Sequence, residues 1–155
     1  MSTNRCFMMG YHDCPDSYFK EIMPPLMTLI FHHNVTEFYV GNHGNFYYLA
    51  SQAVQLMKKH HPELRLILLQ PYPRRRFILP EGFDDVYIPP DAKSDRYAIV
   101  RMNRHMADTV EYMLTYADGR GSNTDKLLRY ARPRIFSGEL QVYNILRLVQ
   151  RFETN

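Results

Sequence analysis

Short apolar runs that stop at glycine or proline alternate along this chain with segments of helical period. "RCFMM" (5–9) stops at Gly10, "TEFYV" (36–40) at Gly41 and "LRLILLQ" (64–70) at Pro71, while "EYMLTYA" (111–117) runs toward Gly119. Between the second and third runs lies "NFYYLASQAVQLMKKHH" (45–61). Phe46, Leu49, Ala50, Ala53, Val54 and Met57 recur there at three- and four-residue spacing, which predicts a helix with Asn45 as its cap. Residues 17–33 carry a second helical pattern, broken by Pro24 and Pro25, where the helix kinks or restarts. Residues 95–109 and 124–131 read as further helices. "DVYI" (85–88) is a candidate short strand, "LQVYNIL" (140–146) a fifth strand, and the tail beyond it reads as helical. Strand and helix in strict alternation imply parallel pairing through right-handed crossovers. Helices on both faces of the sheet explain strands that are apolar throughout. The expectation is one α/β domain over residues 1–155, Rossmann-like and doubly wound, with a mainly parallel five-stranded sheet.

Composition narrows the partners. No apolar run approaches the ~20 residues of a membrane span. The start, "MSTNRCFMMGYHDC", lacks the apolar core of a signal peptide. Cys6 and Cys14 are the only cysteines, so no disulfide framework is expected and a reducing cytoplasm is the simple assumption. A net charge of +3 suits an anionic small ligand and sets nucleic acid aside as a partner. The basic run at Arg74, Arg75 and Arg76 reads as a solvated loop between prolines.

In a doubly wound sheet, ligands bind beyond the carboxyl ends of the strands. Three glycine-bearing loops fall there: "GYHD" with Gly10 and His12, "GNHGNF" with Gly41, His43 and Gly44, and "DGRGSNTD" with Gly119, Gly121, Ser122 and Thr124. Each is either a turn or a place where backbone N–H groups and a helix N-terminus meet an anion. Ser122 and Thr124 read as helix caps that could equally serve a phosphate. None of the loops has the dinucleotide fingerprint or the Walker A spacing, which excludes the usual dehydrogenase and kinase readings. Before the fourth main strand, "RMNRHMAD" offers Asn103 and Arg104, the latter either paired with Asp108 or gripping a phosphate. His32–His33 and His60–His61 are adjacent pairs at helix ends and make poor chelates, so no metal is expected. No cofactor is implied.

The order "CFMMGYHD", "VTEFYVGNHGNF", "LRLILLQPY" and "NRHMADTVEYMLTYADGRGSNTDKLLRYA" resembles the small bacterial Rossmann-like proteins of the SLOG superfamily, nearest to Firmicutes members. That superfamily includes the LOG phosphoribohydrolases, DNA-processing proteins of the DprA type and predicted sensors of nucleotide-derived ligands. The resemblance implies a nucleotide or ADP-ribose-like ligand over the strand ends. It places Gly10 and His12 in the first motif, with Tyr11 where a histidine is expected, and Gly41 and Gly44 in the second. Asn103 and Arg104 match the Asn-Arg pair, and Gly121 part of the last loop. The LOG pattern continues to a glutamate, and Arg129 stands at that position.

The resulting expectation is a domain that binds a nucleotide or nucleotide derivative without LOG-type catalysis. Its ligand contacts would be Gly10, His12, Gly41, Gly44, Asn103, Arg104, Gly119, Gly121, Ser122 and Thr124. Two alternatives stand beside it. One is N-glycosidic hydrolysis of a nucleoside 5′-monophosphate, with Asp125 or Asp108 as the carboxylate. The other is a degenerate interaction protein, for which apolar tail residues such as Leu146 and Val149 would favour a homodimer.

Overall fold

The computed structural model describes residues 4–41 and 43–146. Its elements in chain order are β1 (Asn4–Gly10), α1 (Phe19–Phe31), β2 (Val35–Val40), α2 (Asn45–Lys58), β3 (Arg65–Leu69) and β4 (Asp85–Tyr87). Then follow α3 (Ala98–Thr109), β5 (Tyr112–Tyr116), α4 (Asn123–Tyr130), α5 (Arg132–Ser137) and β6 (Gln141–Asn144). A single 3-10 turn, Asp16–Tyr18, leads into α1. The strands form one sheet in the order β4-β3-β2-β1-β5-β6, every pair parallel. The Rossmann-like doubly wound architecture is as expected. The sheet has six strands rather than five, because Asp85–Tyr87 pairs with Ile67–Leu69 at the edge. The candidate short strand at 85–88 is thus a member of the sheet, which the five-strand expectation left out.

Neighbouring residues on each strand enter opposite cores. Cys6, Met8, Phe38, Val40, Leu66 and Leu114 pack with α1 and α2. Phe7, Tyr39, Ile67 and Met113 pack with Met102 and Met106 of α3 and Leu127 of α4. Both faces are therefore dry, which is why the strands carry apolar residues at consecutive positions.

Helix α1 runs unbroken through Pro24 and Pro25. Prolines there remove the N–H partners of the Lys20 and Glu21 carbonyls, and Lys20 is exposed and Glu21 half-buried. Ile22, Leu26 and Leu29 are fully buried along the other side and hold the helix in place. The cap of α2 is Gly44 rather than Asn45, with no side-chain cap bond. The six-residue α5 has no periodic signature, since Pro133 and two arginines dominate it. Among the described residues no helix is long and apolar enough to cross a membrane. Leu146 is packed against the core, and the expected tail helix with Val149 lies outside the described residues.

Candidate functional site

From β1 the chain steps outward through β2, β3 and β4, then returns to place β5 on the other side of β1. The crevice between the ends of β1 and β5 is the topological switch point of the sheet. Gly10 pairs with Tyr116 there, and the Tyr11 N–H donates to the Tyr116 carbonyl at 3.2 Å. A Cβ on Gly10 would lie 2.6 Å from the Phe46 ring, so this glycine lets α2 close onto β1.

The loop after β5 folds around a carboxylate of the chain itself. Gly119 and Gly121 both have φ near +87°, the left-handed region that side chains avoid. This geometry turns the loop's N–H groups inward. Gly119 N donates to Asp125 Oδ1 at 2.9 Å, while Gly121 N and Ser122 N donate to Oδ2 at 2.8 and 3.0 Å. The Ser122 hydroxyl adds a bond at 3.1 Å and in return accepts the Asp125 N–H at 3.2 Å. Ser122 and Asp125 thus form a capping box at the start of α4.

Tyr11 covers the other side. Its hydroxyl reaches Asp125 Oδ2 at 2.6 Å, also contacts Asp118, and accepts the Asp118 N–H at 2.8 Å. One phenolic proton is shared between two carboxylates. Arg120 pairs with Asp118 and places its guanidinium 5.4 Å from the centre of the Tyr11 ring. Burial opposes ionisation of Asp125, but the Tyr11 hydroxyl and the N–H groups of Ser122 and Gly119 outweigh it and hold the carboxyl below its ordinary range. Asp118 is shifted the same way: desolvation opposes ionisation, and Tyr11 and Arg120 outweigh it. Burial, with both carboxylates beside it, pushes the Tyr11 phenol up.

Beside this loop a groove of about 690 Å³ opens between α4, α5 and β6. Asp118, Gly119 and Asp125 of the loop line it together with Arg129, Arg132 and Phe136. Phe136 is 81% exposed, so its ring faces solvent. Asn144 anchors the floor by exchanging side-chain bonds with the backbone of Ala117, at 3.1 and 2.6 Å.

The other expected site residues fall into three groups. His12 and His43 come together, both exposed, with ring centres 6.4 Å apart. Gly44 presses on His12: an added Cβ would stand 2.5 Å from the His12 Cα, and the Asn45 N–H donates to the His12 carbonyl at 2.7 Å. Gly41 has open space around it, and Thr124 is buried beneath the loop. Asn103 and Arg104 sit on α3 instead. Arg104 lies 4.6 Å from the centre of the Tyr130 ring, whose hydroxyl donates to Asp108 at 2.9 Å. Arg104 and Asp108 line a separate depression of about 510 Å³ with Pro89, Pro90 and Tyr97. They do not join the loops at the switch point.

Cys14 is buried despite its loop position, and burial with Asp13 and Asp16 nearby pushes its thiol up to about 12. It is not an activated nucleophile. Sequence reasoning missed Asp118, Arg132, Phe136 and Asn144 as site residues. "SNTD" (122–125) was the available signal for the clasp, since Ser-x-x-Asp before a helix is a capping box. Nothing local marks the others.

A parallel doubly wound sheet with loops converging at its switch point defines the Rossmann-like class of domain. One solved structure similar to it is DNA processing protein A from Helicobacter pylori, with a TM-score of 0.55 over 97% of this chain and 80% of that one, at 12% identity. No family model matches the chain and no curated protein is detectably similar in sequence. The likeness shows the fold alone; it carries nothing about the superfamily or about Firmicutes. That neighbour was solved for its single-stranded DNA binding mode, which corrects the exclusion of nucleic acid as a partner. The exclusion rested on a net charge of +3, and a whole-chain sum says little about a local cluster such as Arg129 and Arg132.

Proposed function

We propose that this chain, acting as a single domain, binds nucleotide phosphate, either as a free nucleotide derivative or within a single strand, and does not hydrolyse it. The observation that carries the reading is the groove beside the switch point, which Arg129, Arg132 and the exposed ring of Phe136 line together, with the carboxylates of Asp118 and Asp125 tied up by the loop and Tyr11. Guanidinium groups grip phosphate and an exposed ring stacks on a base. Arg129 stands where the LOG resemblance would place a glutamate, and that departure puts a cation rather than a carboxylate in the groove. Hydrolysis of an N-glycosidic bond needs a carboxylate free to face the anomeric carbon. Asp118 and Asp125 are both engaged by the loop and by Tyr11, and Asp108, on α3, accepts the Tyr130 hydroxyl of α4.

Fluorescence anisotropy with a labelled oligo-dT, and competition by AMP and ADP-ribose, tests the reading and separates the two forms of ligand. Arg129→Ala and Arg132→Ala are each expected to weaken binding about tenfold, the worth of one charge-assisted contact. Binding of the oligonucleotide should also fall as salt rises. Wild-type affinity in the double variant, or no binding of any of these ligands at millimolar concentration, sinks the proposal. Release of free base from AMP would sink the non-catalytic half of it.

A further inference from the structure

We infer that the groove of Arg129 and Arg132 continues over α4 into the depression on α3, and that the two together form a track for single-stranded nucleic acid. The inference rests on the function proposed above and selects the strand over the free nucleotide. The groove carries Arg129, Arg132 and Phe136, and the depression carries Tyr97, Arg101 and Arg104. The last turn of α4 divides them. Arg129 lines the groove, while its neighbour Tyr130 reaches α3. The Tyr130 ring holds the Arg104 guanidinium 4.6 Å from its centre, and its hydroxyl donates to Asp108 at 2.9 Å. Arg104 and Asp108 both line the depression, so this turn is a wall shared by the two hollows, with a cation on each side.

The pattern repeats farther along α3. Tyr97 precedes Arg104 by two helical turns, which puts both on one face about 10 Å apart. The Arg96 guanidinium lies 4.7 Å from the centre of the Tyr97 ring. Tyr97 is 55% exposed and Tyr130 39%, so rings that face solvent alternate with arginines from Arg96 to Phe136. A single strand offers the complementary alternation of charged phosphates and planar bases. A free nucleotide would fill one hollow and leave the other unused. Among the described residues Arg96, Arg104, Arg129 and Arg132 enter no ion pair, whereas Arg101 is held by Asp95 at 2.9 Å. The carboxylates along the track are Asp91, Asp108, Asp118 and Asp125. Asp108 accepts from Tyr130, and Asp118 and Asp125 are bonded by Tyr11 and the loop. Asp91 remains, beside Pro89 and Pro90, where it repels phosphate and can accept from the amino group of a base.

Anisotropy titrations of the full chain with labelled oligo-dT and oligo-U, from about 4 to about 16 nucleotides, test the track. Affinity should climb with length until the strand crosses α4, and the series that binds more tightly names the sugar. The loss caused by Arg104→Ala should grow with length, reaching about tenfold for the longest oligomers and lowering their salt slope by about 0.7. Arg104 is exposed, so its removal leaves the core intact. Arg104→Lys restores the charge and should recover the salt slope. Amide ¹H–¹⁵N spectra read the contact directly: the amides of 101–105 should shift with a long oligomer and stay in place with AMP. Affinity that does not change with length, or a wild-type response of Arg104→Ala to the longest oligomer, overturns the inference. So does equal competition by polyglutamate, which has charge without bases. If AMP still binds and the Arg129→Ala, Arg132→Ala double variant loses it, only the track falls and the function proposed above stands. No binding of AMP, ADP-ribose or any oligomer sinks both.

Discussion

At the scale of single residues, the carboxylate that collects N–H groups from Gly119, Gly121 and Ser122 is a helix cap extended into a loop clasp. Its stability contribution has a definite pH signature. The folded carboxyl of Asp125 lies below its ordinary range, so the contribution is complete above the unfolded value, near pH 4, and is lost as pH falls through the folded one. Urea midpoints of the wild type and Asp125→Asn should therefore differ at pH 7 and converge well below about pH 4. A gap that persists in acid would mean the clasp works by shape rather than charge. Ser122→Ala, which removes the reciprocal half of the box, should cost about 1 kcal/mol at either pH.

Among the elements, α2 shows how a helix end can be fixed without a side-chain cap. Its first N–H goes to the His12 carbonyl, and the Asn45 side chain donates to the Cys14 carbonyl at 2.6 Å and to Asp16 at 2.8 Å. The loop after β1 is thereby tied to the start of α2. Gly44 makes the approach possible, with φ of +93° and the His12 backbone where a side chain would begin. Gly44→Ala should cost about 1–3 kcal/mol, because a backbone atom cannot move aside as a side chain can. Gly41→Ala is the matched control: nothing lies within 4 Å of its added Cβ, and a change within about 0.5 kcal/mol is expected. Thermal melts of the two variants side by side check the contrast, and equal losses would refute it.

For the whole molecule, the strand order sets which parts open first. β1 is flanked by β2 and β5 and covered on both faces, whereas β4 and β6 are short edges. Native-state hydrogen exchange should find the amides of 6–8, 38–40 and 113–115 slowest, and those of Val86, Tyr87 and Val142 much faster. Because β6 forms a wall of the groove, its opening would also loosen the floor that Asn144 holds against Ala117. Uniform protection across the six strands would contradict this ordering.

The alternation of apolar runs with periodic helices determined the class of fold, since consecutive apolar residues on a strand make sense only when both faces of the sheet are covered. The same reading placed the glycine loops on one edge, because parallel strands all end there. It could not show that α1 passes through two prolines, a matter of core contacts from Ile22, Leu26 and Leu29 outweighing local propensity. Nor could it separate Arg104 from the loops or bring Arg129, Arg132 and Phe136 into one groove, because those distances depend on how α3, α4 and α5 pack against the sheet. The fate of "DGRGSNTD" was half written in its capping-box spacing, and only the closing of its far side was left to tertiary structure. Its N–H groups could have awaited an anion, but Asp125 lies within one helical turn of Ser122 and Tyr11 arrives from β1 to close the far side, so the chain supplies the anion itself.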